Sequence, residues 1–252
     1  MNTSGNTILI TGGGSGIGRE LAREFQALGN TVIIAGRTLK NLEETIDGRA
    51  GMHARALDVD NADAIKRFVA DLIRDFPALN GLINNAGIMT RENLLADPVD
   101  LAVAEAIVAT NILGPIRLTS ALLPHLRAQP AATVMTVTSG LAFVPLSATP
   151  TYSASKAAMH SWTQSLRYLL RDTNIEVIEI APPGVQTELT PGQSTRDAYM
   201  PLKDYIAETM ANFKALPATG ENLTDRVKFL RNAEAEGRFE ATFRMVNEAY
   251  RS

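Results

Sequence analysis

The sequence predicts an α/β fold, a doubly wound parallel sheet with helices on both faces. Three features predict it. Short apolar runs alternate with stretches whose apolar residues recur at helical spacing. A glycine cluster, Gly12 to Gly18, separates the first such run from the first such stretch, where a nucleotide fold needs a tight turn. Polar residues and glycines then gather where later strands end, at the edge where open α/β sheets bind ligands.

The strands and helices are read in order. Thr7 to Thr11 is a buried strand, and Arg19 to Leu28 a helix carrying Leu21, Ala22, Phe25 and Leu28 on one face. Thr31 to Gly36 is the second strand and completes a βαβ unit. Met52 to Val59 is the third strand, and Asp63 to Phe76 a helix with Ile65, Phe68, Val69 and Leu72 in a stripe. The fourth strand is Gly81 to Ile83. Leu101 to Leu126 is helical but interrupted by Gly114-Pro115, since proline has no N–H for the bond to the Asn111 carbonyl. That carbonyl is thereby offered to a water. Ala132 to Thr138 is the fifth strand, Thr151 to Arg171 a helix, and Ile175 to Ala181 the sixth strand. Residues 188–220 are loosely patterned, with Pro191, Pro201 and Pro217, and are read as a substrate lid containing a helix from Tyr199 to Phe213. Leu223 to Arg231 and Phe239 to Tyr250 read as helices, with a seventh strand near 238–243 as an alternative.

Composition narrows the classes of function. The 252 residues show no repeat or linker and are read as one domain, 1–252, long enough to bury about three quarters of the unfolded surface without a staple. Cysteine is absent, which removes disulfides and thiol catalysis and fits a reducing compartment. A net charge of −3, from 24 basic and 27 acidic residues, speaks against a nucleic-acid partner. No uninterrupted apolar run has the length of a membrane span, and Met1-Asn-Thr-Ser-Gly5 lacks the basic segment of a signal peptide. A cytoplasmic protein with no membrane partner is expected. His53, His125 and His160 are scattered and no metal site is expected.

The glycine turn, Gly12-x3-Gly16-x-Gly18, leads into a helix whose free N–H groups favour a pyrophosphate, although a plain turn is the alternative. At the end of the second strand Gly36 stands where an acid would bind the ribose hydroxyls, and Arg37 follows. A guanidinium without a neighbouring carboxylate suits a phosphate, which points to NADP(H), with NAD(H) and an ordinary surface arginine as alternatives. Asp58 could accept a hydrogen bond from an adenine amino group. Asn84-Asn-Ala-Gly87 lies at a ligand-binding strand end. Tyr152 and Lys156 share a helix face, and an ammonium beside a phenol would lower the phenol's pKa and yield a proton donor and acceptor. A solvated lysine beside a half-buried tyrosine would show the same spacing.

In register, Thr11-Gly12-x3-Gly16-x-Gly18, Asp58-Val59, Asn84-Asn-Ala-Gly87, Asn111, Ser139, Tyr152-x3-Lys156 and Pro183-Gly184-x2-Thr187 resemble the short-chain dehydrogenase/reductase superfamily over about the first 190 positions. The opening half is similar to a bacterial subgroup of oxidoreductases without an assigned substrate. The resemblance implies a Rossmann-type fold and a hydride transfer between NADP(H) and a carbonyl or secondary alcohol. By it, Tyr152 is the acid/base, Ser139 binds the reacting oxygen, Lys156 holds the nicotinamide ribose and tunes Tyr152, and Asn111 keeps a water that links Lys156 to solvent. It further places Gly12, Ser15, Gly16, Ile17 and Gly18 at the pyrophosphate, and Asp58 and Val59 at the adenine. Asn85, Ala86 and Gly87 fall near the adenosine ribose, and Pro183, Gly184, Val185 and Thr187 near the nicotinamide amide. Alternatives are a 3-oxoacyl-thioester reductase, an NAD-linked alcohol dehydrogenase of the same family, and a non-catalytic nucleotide-binding redox sensor.

One departure concerns the end of the chain. Many family members close with a glycine-rich segment after a last strand, whereas this chain ends Arg238-Phe-Glu-Ala-Thr-Phe and a helix-like tail. A homodimer or homotetramer is expected, a dimer through the helices at 101–126 and 151–171, where Ala154, Ala158, Leu118 and Leu122 need cover. Phe143 to Leu146, between Ser139 and Tyr152, are expected to line the substrate pocket. The charged run from Arg231 to Arg238 reads as a solvated helix face, and His160 as a packing or surface residue.

Overall fold

A computed structural model describes residues 2–249. Seven strands form one sheet in the order β3-β2-β1-β4-β5-β6-β7. They are β1 (Thr7–Thr11), β2 (Thr31–Gly36), β3 (Met52–Ala56), β4 (Leu79–Asn84), β5 (Ala132–Val137), β6 (Ile175–Ala181) and β7 (Glu221–Leu223). All six pairings are parallel. The inner strands are buried on both faces, which is why they read as unbroken apolar runs such as Ile8-Leu9-Ile10.

Helices cover both faces. On one, α1 (Gly16–Ala27), α2 (Leu39–Ile46) and α7 (Leu202–Asn212) pack Leu21, Phe25, Leu42, Tyr205 and Ile206 against Ile8, Ile10 and Ile34. On the other, α3 (Ala62–Asp75), α5 (Gly114–Ala128) and α6 (Pro150–Leu170) pack Ile65, Leu118, Leu122 and Leu166 against Leu9, Val134 and Val177. Each fully buried Leu or Ile contributes roughly 1.5–3 kcal/mol, so these two layers hold the sheet. Helix α3 starts where Asn61 accepts from the backbone N–H groups of Asp63 and Ala64.

Several expectations are corrected. The seventh strand is Glu221–Leu223, and 238–243 instead leads into helix α9 (Phe239–Glu248); α8 (Asp225–Arg231) lies between. Three residues beginning with Glu and Asn carry no readable periodicity, and their pairing with Glu179–Ala181 is a tertiary matter. The third strand stops at Ala56, leaving Asp58 and Val59 in the following turn, and α2 was not anticipated. The run Arg231 to Arg238 is mostly turn, and Arg231 faces inward onto Glu221 at 3.1 Å. Leu118 and Leu122 are wholly buried in this chain's own core, so they need no partner, whereas Ala154 and Ala158 are exposed. Tyr250, placed by sequence in the last helix, lies outside the described residues.

The break at Gly114-Pro115 is a π turn, Ala109–Leu113, between α4 (Ala102–Val108) and α5, with the Gly114 N–H bonded to the Ala109 carbonyl. Proline cannot donate, so the helix widens by one residue there and continues. Among the described residues, Ala102–Ala128 is long and apolar enough to cross a membrane by composition, but Leu118, Leu122 and Leu126 are buried against the sheet.

Candidate active site

The strand order reverses between β1 and β4, and open α/β sheets bind ligands in the crevice at such a point. Two segments from the sequence reading meet there. The β1 turn holds Gly12 at φ +68°, and a Cβ on it would lie 2.9 Å from the Ala86 Cα. At Gly18 a Cβ would lie 2.4 Å from the Gly12 carbonyl oxygen, so the helix can start only with glycine there. Asn85 completes the seat, its Nδ2 donating to the Thr11 carbonyl at 2.9 Å, while the Thr11 hydroxyl accepts from the Asn85 and Ala86 N–H groups. Helix α1 has no side-chain cap and no acid in its first turn. Its N–H groups and positive dipole end therefore face the crevice, as an anion site requires.

A cleft of about 490 Å³ runs from this turn to the ends of β5 and β6. Gly12, Ser15, Gly16, Ile17, Gly18, Asn85, Ala86 and Gly87 line one end; Ser139, Tyr152, Lys156, Pro183, Val185 and Thr187 line the other. A smaller cavity of about 180 Å³ adjoins it, lined by Gly14, Arg37, Asp58 and Val59 together with Thr38, Asn41 and Thr110. Donors at a helix N-terminus, a cavity at the strand ends and a cation on its rim suit a dinucleotide. Gly184 lines neither; it lies against Tyr199 in a third cavity.

Tyr152, Lys156 and Ser139 converge at the same end. Tyr152 and Lys156 lie one turn apart on α6, 6 % and 5 % exposed. Burial pushes the Lys156 ammonium down to about 8 and the Tyr152 phenol up to about 12, the latter against a hydrogen bond with Ser139 that lowers it. The expected depression of the phenol's pKa is not met in this geometry. Lys156 Nζ donates to the Val137 carbonyl at 2.9 Å and stands 5.6 Å from the centre of the Tyr152 ring, so desolvation wins.

Asn111, in the π turn, is buried; its amide donates to the Ile88 carbonyl and the Ser155 hydroxyl and accepts from the Ile88 N–H at 2.9 Å. A Cβ on Gly87 would meet Asn111 Oδ1 at 3.3 Å and Lys156 Nζ at 3.6 Å, which puts the two residues at one spot. The widened turn directs this side chain onto the loop that follows β4.

Beyond Ser139 and Tyr152 opens a cavity of about 360 Å³ with mostly apolar walls, among them Met89, Leu141, Leu189, Leu230, Met245 and Val246. Phe143 to Leu146, the expected lining, are not part of it. Val144 and Leu146 are buried in the core, and Phe143 packs edge-on against His160. The far wall comes from α8 and α9. No local sequence signal marked it, because its residues reach the site only when the chain end folds back. Within the expected lid, Leu189, Pro191 and Gln193 line the main cleft, whereas Tyr205, Ile206 and Phe213 belong to the core.

The short chain dehydrogenase model matches residues 6–198. The uncharacterized oxidoreductase DltE of Bacillus subtilis (strain 168) is 42 % identical over 197 residues, 78 % of this chain and 77 % of that protein. A sulfoacetaldehyde reductase of Chromohalobacter salexigens is 35 % identical over 187 residues, 73 % and 74 % of the two chains. The structure of a 3-ketoacyl-(acyl-carrier-protein) reductase from Brucella melitensis complexed with NADH superposes with a TM-score of 0.77 at 26 % identity, over 87 % of this chain and 96 % of the other.

Proposed function

The chain belongs to the short chain dehydrogenase family, as a pyridine-nucleotide-dependent enzyme acting on CH–OH and C=O groups, and on this premise we propose that it is an NADP(H)-linked carbonyl reductase or alcohol dehydrogenase with Tyr152 as its acid/base. The nicotinamide, when bound, supplies or accepts the hydride. The remaining work falls to the chain. Tyr152 Oη hands a proton to the carbonyl oxygen in reduction and takes it back in oxidation, while the Ser139 hydroxyl donates to the same oxygen as negative charge gathers there. Lys156 Nζ, beside Gly87, is placed to hold ribose hydroxyls, and Asn111 keeps the Ile88 backbone and a proton-relaying water in position. The burial of Ser139, Tyr152 and Lys156 together, in a cleft that runs on from the glycine turn, carries this reading.

The NADP(H) preference rests on Arg37 at the rim of the adenine-side cavity, next to Gly36 where an acid would stand. Asp58 and Val59 form the opposite wall. The apolar cavity past Tyr152 suits a carbonyl compound with an apolar body, with residues near 189–199 as its cover. An assembly of two or four subunits, working in the cytoplasm, completes the reading.

A panel of aldehydes and ketones, followed by nicotinamide absorbance with NADPH and NADH, tests it. The expected result is turnover with kcat/KM at least tenfold higher for NADPH, and loss of that margin in Arg37→Ala. Tyr152→Phe is expected to cut kcat by roughly 10²- to 10⁴-fold while NADPH still binds. An NADH preference removes the cofactor assignment; near-normal hydride transfer by Tyr152→Phe removes the mechanism.

A further inference from the structure

Helix α6 carries a third polar residue in line with Tyr152 and Lys156. His160 lies one turn beyond the lysine, and its Nδ1 is 2.8 Å from Oε2 of Glu179. Glu179 has no exposed surface. It sits on the face of β6 that Ile175 and Val177 turn toward α6, so the apolar series on that face ends in a carboxylate. An ionised carboxylate only accepts, so the His160 Nδ1–H donates to it. The second donor is the Thr138 hydroxyl, at 2.6 Å from Oε1. Thr138 is the residue directly before Ser139, and Val137, one further back, supplies the carbonyl that receives Lys156.

The surroundings of the pair are fully partnered. Glu221 of β7 comes within 4.8 Å of both His160 and Glu179, and Arg231 of α8 neutralises it at 3.1 Å. Arg231 also lies over the Phe143 ring, which in turn meets the His160 ring edge-on. A buried carboxylate is costly unless paired, and an apolar side chain of similar size would often stabilise such a site as well or better. Stability alone therefore gives no reason for a carboxylate at this position.

We infer that Glu179 is a positioning residue, which with His160 and Thr138 locks the face of α6 bearing Tyr152 and Lys156 to the end of β5 bearing Ser139. One carboxylate ties the two elements whose relative placement sets the distance between the two groups on the reacting oxygen. A displacement of about 1 Å at such a centre can cost on the order of 10²-fold in rate. The inference rests on the oxidoreductase reading of the site, and it adds three residues that act through Tyr152, Lys156 and Ser139, of which Thr138 also lines the cleft.

The test compares wild type with Glu179→Gln and His160→Gln, and with Thr138→Val as a milder change, using NADPH and 4-nitrobenzaldehyde as the probe carbonyl. Thermal melts establish which variants are folded. Folded Glu179→Gln and Thr138→Val are expected to lose at least tenfold in kcat, with KM for NADPH within twofold of wild type. The double variant Glu179→Gln/His160→Gln should lose no more than the worse single one, since the pair acts as a unit. Glu221→Gln, which loosens the sheet edge without touching Thr138, should lower the melting temperature and leave kcat within twofold. If the Glu179 and Thr138 variants melt lower yet turn over at the wild-type rate, the network is a brace for the fold and the inference is overturned. A wild type that reduces no carbonyl overturns the functional reading itself, and the positioning role with it.

Discussion

Lys156 brings an ammonium into a space from which water is nearly excluded, and its charge is met by the Val137 carbonyl. Its pKa falls from 10.5 to about 8 on folding, so between those values the unfolded chain holds a proton that the folded chain has lost. Stability therefore rises with pH in that window, and the full cost of the buried charge applies below about 8. Tyr152 acts in the opposite sense. Its pKa is raised to about 12, so stability contributed by its protonated phenol is lost as pH climbs above 10. Urea midpoints measured from pH 7 to 10 should therefore increase, by up to about 3 kcal/mol in unfolding free energy if the whole shift is expressed. In Lys156→Met that increase should vanish along with activity. A wild-type curve that is flat across the window would show the ammonium to be better solvated than this packing implies. The Tyr-x3-Lys spacing was legible in the sequence because it is local. That burial outweighs the lysine's pull on the phenol was not, since it depends on what β5 and the π turn pack around the pair.

At the scale of elements, the C-terminal helix and the π turn do most to shape the site. Helix α9 closes the apolar cavity with Met245 and Val246, and Asn247 moors it to the loop between Ser139 and Tyr152. The Asn247 side chain accepts from the Ser147 N–H at 2.6 Å and donates to the Pro145 carbonyl at 3.1 Å. Asn247→Ala should raise KM for the carbonyl substrate several-fold through a looser wall, with the dissociation constant for NADPH unchanged because the nucleotide end of the cleft is distant in the fold. Parallel steady-state kinetics and NADPH fluorescence titration check this; equal losses in both would mean that α9 supports the whole cleft. The break at Gly114-Pro115 was visible as a proline without an N–H. Its form, a widened turn that turns Asn111 onto Ile88, needed the neighbouring strand end. The segment 143–146 shows the opposite failure: apolar residues between Ser139 and Tyr152 were read as pocket, and the core claimed Val144 and Leu146.

For the whole molecule, the open question of assembly turns on which apolar groups the chain covers by itself. Leu118 and Leu122 are covered, whereas Leu101, Val108, Leu113 and Leu169 remain substantially exposed on the helices expected to pair. Burying several such side chains across a two-fold axis would contribute on the order of 25 cal/mol per Å² of apolar surface before the cost of association. Sedimentation should accordingly show at least twice the chain mass of 27.1 kDa. The double change Leu113→Asp and Leu169→Asp should shift it toward the monomer without lowering the helix content. A wild type that sediments as a monomer at micromolar concentration would remove the dimer from the reading.

By itself the sequence determined the β/α order, the glycine turn and the Tyr152–Lys156 spacing. Each is written in neighbouring residues: an apolar run long enough for a strand, a φ only glycine tolerates, a spacing that fills one helix face. The tertiary structure alone decided where the sheet ends, what walls the apolar cavity and which residues meet Glu179. Glu221–Leu223 becomes a strand only by meeting Glu179–Ala181, and Asn247 finds its partners about a hundred positions earlier in the chain. Glu179 is one of two glutamates in its strand, and nothing in the neighbouring residues sets it apart. Its place beside His160 and Thr138 exists only once β6, α6 and β5 are packed, because contacts between distant segments leave no period or spacing in the chain that makes them.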